Sequence, residues 1–261
     1  MDAAAALAVF DERMRRGARP DGPGAWVERV GPVVRQTDPG GWNGVLWSDL
    51  EPAGADTEIA AQVRHFAALG LGFEWKLYGH DGPADLAERL LAAGFEPEDE
   101  ETVMVARPHR VPAGPEPPEG VRLLPVTDAA GVDLVAAVHE QVFATDPARL
   151  AKQLRARLDE GDGAAAAVVA MAGDLPVSAA RMELDPEAGF AGLWGGGTLP
   201  GWRGRGLYRA LVGFRARIAA ERGCDWLQVD ASAMSRPVLE RLGFTALTTT
   251  TPYVFCGPRG G

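Results

Sequence analysis

Five prolines fall within the stretch Arg107-Pro-His-Arg-Val-Pro-Ala-Gly-Pro-Glu-Pro-Pro-Glu-Gly120, and this stretch limits the fold more than any other. Proline offers no backbone N–H and clashes with the preceding helical turn, so the segment sustains neither a helix nor a central strand. A chain of 261 residues interrupted near its middle is long enough for two ordinary domains. The reading is therefore a first domain over 1–107, an extended linker over 108–118 and a second domain over 119–261.

The two sides differ in charge. Residues 1–118 carry 20 acidic and 11 basic side chains, and residues 119–261 carry 16 and 15. An acidic front half disfavours nucleic acid as a partner, because phosphate backbones are bound by an excess of Lys and Arg. No apolar run is long enough to span a bilayer, so no membrane association is expected. The Ala-rich run from Ala3 to Phe10 follows Asp2 and lacks a basic leader, so it reads as a helix, not a signal peptide. Cys224 and Cys256 are the two cysteines and have no metal-ligand spacing; both read as half-buried small hydrophobes in a cytoplasmic protein without a structural metal.

Behind the prolines the pattern alternates strands and helices. Gly120 to Thr127 is β-like, and Asp128 can cap a helix running to Val142. A second helix is expected over Pro147 to Glu160. Ala164–Ala172 and Leu175–Leu184 read as a hairpin turning at Gly173-Asp174. A third strand, Phe190–Leu199, holds three consecutive glycines, Gly195 to Gly197. Glycine weakens a strand, so the run predicts a bulge or a close approach by another backbone or a ligand. Leu207, Leu211, Phe214 and Ile218 then recur at helical spacing, and Gly223 stops that helix. Trp226–Asp230 is a strand, Ser235 can cap a short helix ending at Gly243, and Thr245–Phe255 is a last strand. The class is α/β with a mixed sheet flanked by helices.

The front half echoes this order. Trp75 and Trp226 lie 151 residues apart, while Asp81 and Asp230, and the pairs Gly94-Phe95 and Gly243-Phe244, lie 149 apart. A register held through strand, helix and strand indicates a degenerate duplication.

Arg203-Gly-Arg-Gly206 joins a strand to a helix. Backbone N–H groups in such a turn point outward, the helix start adds partial positive charge, and glycine lets a ligand approach the backbone. Residues 200–222 hold six arginines (203, 205, 209, 215, 217 and 222) against one acid, Glu221. A multiply charged phosphate ligand accounts for such a local excess. The loop is neither a Rossmann fingerprint nor a P-loop, since it lacks the first GxG and the Gly-Lys-Ser/Thr.

Thr198-Leu-Pro-Gly-Trp-Arg203-Gly-Arg-Gly206-Leu-Tyr208, followed by helix, strand and Ser-x-x-Ser-x-x-x-Leu-Glu-Arg-Leu-Gly243-Phe244, resembles the GNAT (GCN5-related N-acetyltransferase) superfamily. The resemblance covers about Glu119 to Phe255. It implies a mostly antiparallel central sheet and, with the echo, a tandem whose first half has no cofactor loop ahead of its helix (Glu58 to Leu69). It also implies an N-acetyltransferase that moves an acetyl group from acetyl-CoA to an amine of a small molecule or peptide by direct attack. No metal is required, and a homodimer is left open as the assembly. Thr198, Leu199, Arg203, Gly204, Arg205, Gly206, Leu207, Tyr208, Ser232 and Ser235 would then contact the cofactor, with backbone N–H groups near Leu193 to Thr198 holding the oxyanion.

Two positions depart from the family. Tyr208 stands where Gly or Ala is usual, and Leu239 stands where many members carry the tyrosine that protonates the leaving thiolate. The expected strand carboxylate is also missing, which leaves Glu183 and Glu140 as bases by residue type and Ser235 as a substitute acid. Trp194 and Trp202 read as core or interface. An alternative is a catalytically silent acetyl-CoA-binding regulatory module.

Overall fold

The structure, a computed structural model, describes residues 2–144, 146–159, 161 and 163–257. It divides into two compact units, Met1–Val103 with Ala246–Gly261, and Met104–Thr245. The division therefore differs from the sequence reading at both ends. The Pro-rich stretch belongs to the second unit, and the last strand belongs to the first. Glu160, the expected end of one helix, lies outside the described residues, as do 258–261.

Along the chain the first unit runs α1 (Ala3–Phe10), a π-helical turn (Asp11–Arg16), β1 (Trp26–Val30), β2 (Val33–Thr37), β3 (Gly44–Ser48), α2 (Ala55–Ala68), β4 (Phe73–Tyr78), α3 (Leu86–Ala92) and β5 (Glu96–Pro97). β6 (Glu101–Ala106) leads into the second unit, which continues β7 (Val121–Pro125), α4 (Ala129–Phe143), α5 (Pro147–Asp159), β8 (Ala165–Ala172), β9 (Leu175–Asp185), β10 (Phe190–Thr198), α6 (Leu207–Glu221), β11 (Trp226–Ala231) and α7 (Arg236–Arg241). β12 (Thr245–Phe255) closes the chain.

In the first unit the strand order is β1-β2-β3-β4-β12, with β5 also on β12. These strands pair antiparallel except β3 with β4. Ile59, Phe66, Trp75, Leu86 and Leu90 are buried in its core, and Phe66 stacks on Phe73 at 4.2 Å between centroids. Arg15 is buried beside it, bidentate on Asp81 at 2.7 Å, bonded to Asp11 and lying over the Tyr78 ring. Two carboxylates and a ring face compensate this guanidinium for its lost hydration.

In the second unit the order is β11-β10-β9-β8-β7, antiparallel except for β10 with β11. Asp128 caps α4 by accepting from Gly131 N at 2.8 Å, as its residue type predicts. α4 and α5 pack Val132, Val135, Val138, Ala151 and Leu154 on Ala167, Val169 and Ala179. α6 covers the other face through Leu207 and Leu211, which meet Val177, Val168 and Ala180. The sheet is mixed, mostly antiparallel and flanked by helices, as expected.

The echo between the halves extends to hydrogen bonding. Gly94 and Gly243 adopt φ of +92° and +89°, and the following Phe95 and Phe244 N–H groups donate to Leu90 O and Leu239 O, both at 3.1 Å. A left-handed glycine closing a helix by the same bond explains why the Gly-Phe pair recurs.

The Pro-rich stretch is a strap on α6. A Cβ at Gly213 would stand 2.1 Å from Ala113 O, one at Gly114 would stand 2.8 Å from Arg209 O, and one at Gly206 would stand 3.0 Å from Pro115 Cγ. Proline fixes the extended course while glycine at both Gly114 and Gly213 lets the backbones approach.

Candidate functional site

β10 ends in a single 3-10 turn, Pro200–Trp202, and the chain then passes through Arg203–Gly206 into α6. Gly204 and Gly206 have φ of +75° and +87°, a region that side chains rarely adopt. The first α6 bond runs from Ala210 N to Gly206 O, so the N–H groups of Leu207, Tyr208 and Arg209 have no intrahelical acceptor. No side chain caps this end, and its first turn holds no acid. Gly206 is also the position where a Cβ would meet the strap at Pro115. The result is a backbone cradle fitted to an anion, with Arg203, Gly204 and Arg205 exposed around it.

The three glycines of β10 form the predicted bulge. Trp194 pairs with Arg181 and Gly197 with Ala179, so Gly195 and Gly196 together oppose Ala180. Each glycine is required by a different neighbour. At Gly195 (φ +56°) a Cβ would stand 2.2 Å from His139 Nε2 of α4; at Gly196, 2.9 Å from Tyr208 Cε2 of α6; at Gly197, 2.9 Å from Phe143 Cε2. The parallel ladder joins Phe190–Gly192 to Trp226–Gln228, while β10 continues to Thr198 and β11 to Ala231. The strands thus diverge where the bulge lies and where the cradle begins.

No family model and no curated protein matches this chain. Solved structures do. A GCN5-related N-acetyltransferase from Kribbella flavida superposes with a TM-score of 0.71 at 20% identity, over 100% of this chain and 98% of its own. A tandem GNAT protein from the clavulanic acid biosynthesis pathway gives 0.60 at 16% identity, over 99% and 93%. A GCN5-related N-acetyltransferase from Sphaerobacter thermophilus gives 0.59 at 16% identity, over 88% and 75%. The chain has the GNAT fold, in tandem form.

Within that fold the residues singled out by sequence are not equivalent. Thr198 is buried, its hydroxyl 2.8 Å from Ser178 Oγ, and Leu199 N donates to Val177 O at 2.9 Å. The Leu199 donor is therefore spent in the sheet. Arg203 Nε donates to Thr198 O at 3.1 Å and Arg205 lies over Trp202, which fixes the loop while leaving charge outward. Leu207 is core. Ser232 and Ser235 bond to one another at 3.2 Å. Ser235 stands at the cap position of α7, but its side chain makes no cap bond there. Glu183 is held by Arg181 at 3.1 Å on β9, and Glu140 is exposed on α4. Leu239 is fully buried.

Arg215 corrects the charge reading. It is buried, donates through Nε to Leu211 O and through Nη1 to Arg181 O and Trp194 O, and so holds the bulge. Burial pulls its pKa down to about 10. Arg222 donates to Gly163 O and Arg217 approaches Glu221. The cationic rim of the cradle is thus Arg203, Arg205 and Arg209. The buried stripe of α6 is Leu207, Leu211 and Arg215, while Phe214 and Ile218 lie at its edge.

His139 was not singled out by sequence. Burial, and then the charge of Arg181, push its pKa down to about 4, against a hydrogen bond with the Gly195 backbone that raises it. It is neutral at pH 7. Gln228 and Asp230 share a 2.7 Å bond on β11, and Gln228 pairs with Gly192. Cys224 is buried, its thiol pushed up to about 11 by burial, whereas Cys256 is exposed, not half-buried. Among the described residues no helix is long and apolar enough to cross a membrane.

Proposed function

We propose that this chain is an acetyl-CoA-dependent N-acetyltransferase with one cofactor site, at residues 203–209, and an amine as acceptor. The observation that carries the reading is the anion cradle at the start of α6 beside a strand that is bulged and diverges from its neighbour. The pyrophosphate would sit on the N–H groups of Gly204 to Arg209, with Arg203, Arg205 and Arg209 around it. When bound, the cofactor supplies an activated acyl carbon.

The chain's own residues do the rest. The bulge turns the β10 backbone out of its ladder and offers N–H groups between Leu193 and Thr198 to a developing oxyanion. A lysine-like amine has a pKa of about 10.4, so freeing it at pH 7 costs roughly 4.6 kcal/mol, and a carboxylate that takes the proton lowers that demand. Glu183, one strand away from the bulge, is our choice of base. Acceptors bearing an ammonium group, on a small molecule or a peptide, fit a face that carries Glu183 and Asp230.

Among its described residues the first unit has no comparable cradle. α2 begins with Asp56 and Glu58 in its first turn, which repel the anion that α6 invites. We therefore assign it no cofactor.

The test is release of CoA thiol from acetyl-CoA in the presence of a polyamine, an aminosugar, an α-amino acid or a lysine peptide. An acetyltransferase releases thiol and acetylates at least one of them. The buried Leu239 favours one rival, a silent binding module, which would bind acetyl-CoA and release none.

A further inference from the structure

Tyr208 stands where Gly or Ala is usual in the family that the chain resembles. It lies in the first turn of α6, two residues beyond Gly206, and its ring fills the space beside Gly196 of the bulge. The Ser235 side chain, just before α7, lies close enough to act on its hydroxyl. The ring therefore reaches from β10 to the segment after β11, across the place where these strands diverge. Arg215, two turns further along α6, brings a buried guanidinium to the same spot, with Nη2 3.4 Å from the Cβ position of Gly196. Its Nε and Nη1 donate to backbone carbonyls, which leave the cation's charge unneutralised.

We propose that Tyr208 donates the proton to the thiolate that leaves the acyl donor, and that Arg215 and Ser235 stabilise the phenolate left behind. This rests on the reading of residues 203–209 as the acetyl-CoA site. As the C–N bond forms and the C–S bond breaks, the electron pair stays on sulfur and Tyr208 Oη–H gives sulfur its proton. The proton lost by the amine passes to Glu183 and solvent, and the phenolate regains one from solvent through Ser235. Nothing is oxidised or reduced.

The role fits the surroundings. Burial holds the Tyr208 phenol above its ordinary value, against the pull of Arg215 and of Ser235, so the proton is present at neutral pH. The charge that acts on Tyr208 is Arg215 from its own helix; beyond it Arg181 of β9 is paired with Glu183, and neutral His139 of α4 lies across Gly195. Arg215 favours the phenolate, and the carboxylate of Glu183 is held by Arg181. The tyrosine missing at Leu239 is thus replaced from a different helix, and Ser235 acts one bond behind it.

The experiment compares Tyr208→Phe with Tyr208→Ala in the full chain. Tyr208→Phe keeps the ring; it should bind acetyl-CoA within about twofold of wild type and keep its KM, while kcat falls at least about a hundredfold. An acceptor-free readout accompanies this: the ultraviolet thiolate absorbance of bound CoA, titrated with pH. Removing the hydroxyl takes away a donor to the thiolate, so the bound thiol should ionise about one pH unit higher in Tyr208→Phe. The proposal is overturned if Tyr208→Phe retains wild-type kcat and thiol titration while Tyr208→Ala loses binding, since the ring then only fills space. If wild type binds neither acetyl-CoA nor CoA, the functional reading fails first. If it binds without turnover, the thiol titration alone decides.

Discussion

Gly213→Ala sets two known effects against each other within α6. By helix propensity alone the change should stabilise, by about 1 kcal/mol, because alanine loses less backbone entropy than glycine. Here the added methyl would stand 2.1 Å from Ala113 O and 2.4 Å from Ala113 C, both backbone atoms. Reaching an ordinary contact of about 3.5 Å means moving the strap by more than 1 Å. Neither Pro112 nor Pro115 beside it can swing its φ to accommodate this. Overpacking of this kind costs about 1–3 kcal/mol, which exceeds the propensity gain over most of its range. Scanning calorimetry should place the transition of the variant below wild type by up to about 8 °C, at roughly 2–4 °C per kcal/mol for a unit of this size. The strap also shapes the cradle, through Pro115 against Gly206, so acetyl-CoA affinity should weaken in the same variant. A transition temperature above wild type would show that the strap does not press on α6 and that the prolines form the free linker their composition suggests.

Gly206→Asp places a carboxylate and a Cβ at φ +87°, against Pro115, where the phosphates would lie; it should abolish acetyl-CoA binding in calorimetry while circular dichroism shows a folded chain, and unchanged affinity would remove the cradle from the account. Burial holds His139 at about 4 in the folded chain, below the ordinary histidine value of 6.5, so the unfolded chain takes up a proton first, and stability present above pH 6.5 is lost as pH falls toward 4. Solvent screens the half-buried ring, so the loss is below the roughly 3 kcal/mol that a fully buried group would give, and His139→Asn should flatten the difference in urea stability between pH 7 and pH 4.5 relative to wild type; an identical pH dependence in both proteins would contradict it.

Much of the site is legible in sequence because it is local. Gly195 to Gly197 mark a bulge, and Arg203 to Gly206 mark a turn, because both depend on backbone conformations that few residues adopt. The Gly-Phe pairs reveal the duplication for the same reason, since one cap bond recurs in both halves. What escapes is what the chain assembles at a distance. His139 and Arg181 acquire meaning only where α4 crosses the bulge. Arg215 counts as one more cation until its place on the stripe of Leu207 and Leu211 is noticed; a charge four residues after a core leucine was the available signal. The strap reads as a linker because composition describes stiffness and not what a stiff segment lies against. Sequence places Thr245–Phe255 with the second domain because it cannot show long-range register, here Thr250 to Phe255 on Tyr78 to Phe73 of β4.

All of the proposed chemistry depends on a single acetyl-CoA site at the start of α6. Isothermal titration of the full chain with acetyl-CoA tests it most directly. One equivalent bound per chain is the result expected, from a cradle at Arg203–Arg209 and an acidic first turn in α2. Two equivalents would mean that the first unit holds a second site, and no binding at all would remove the basis for acetyl transfer.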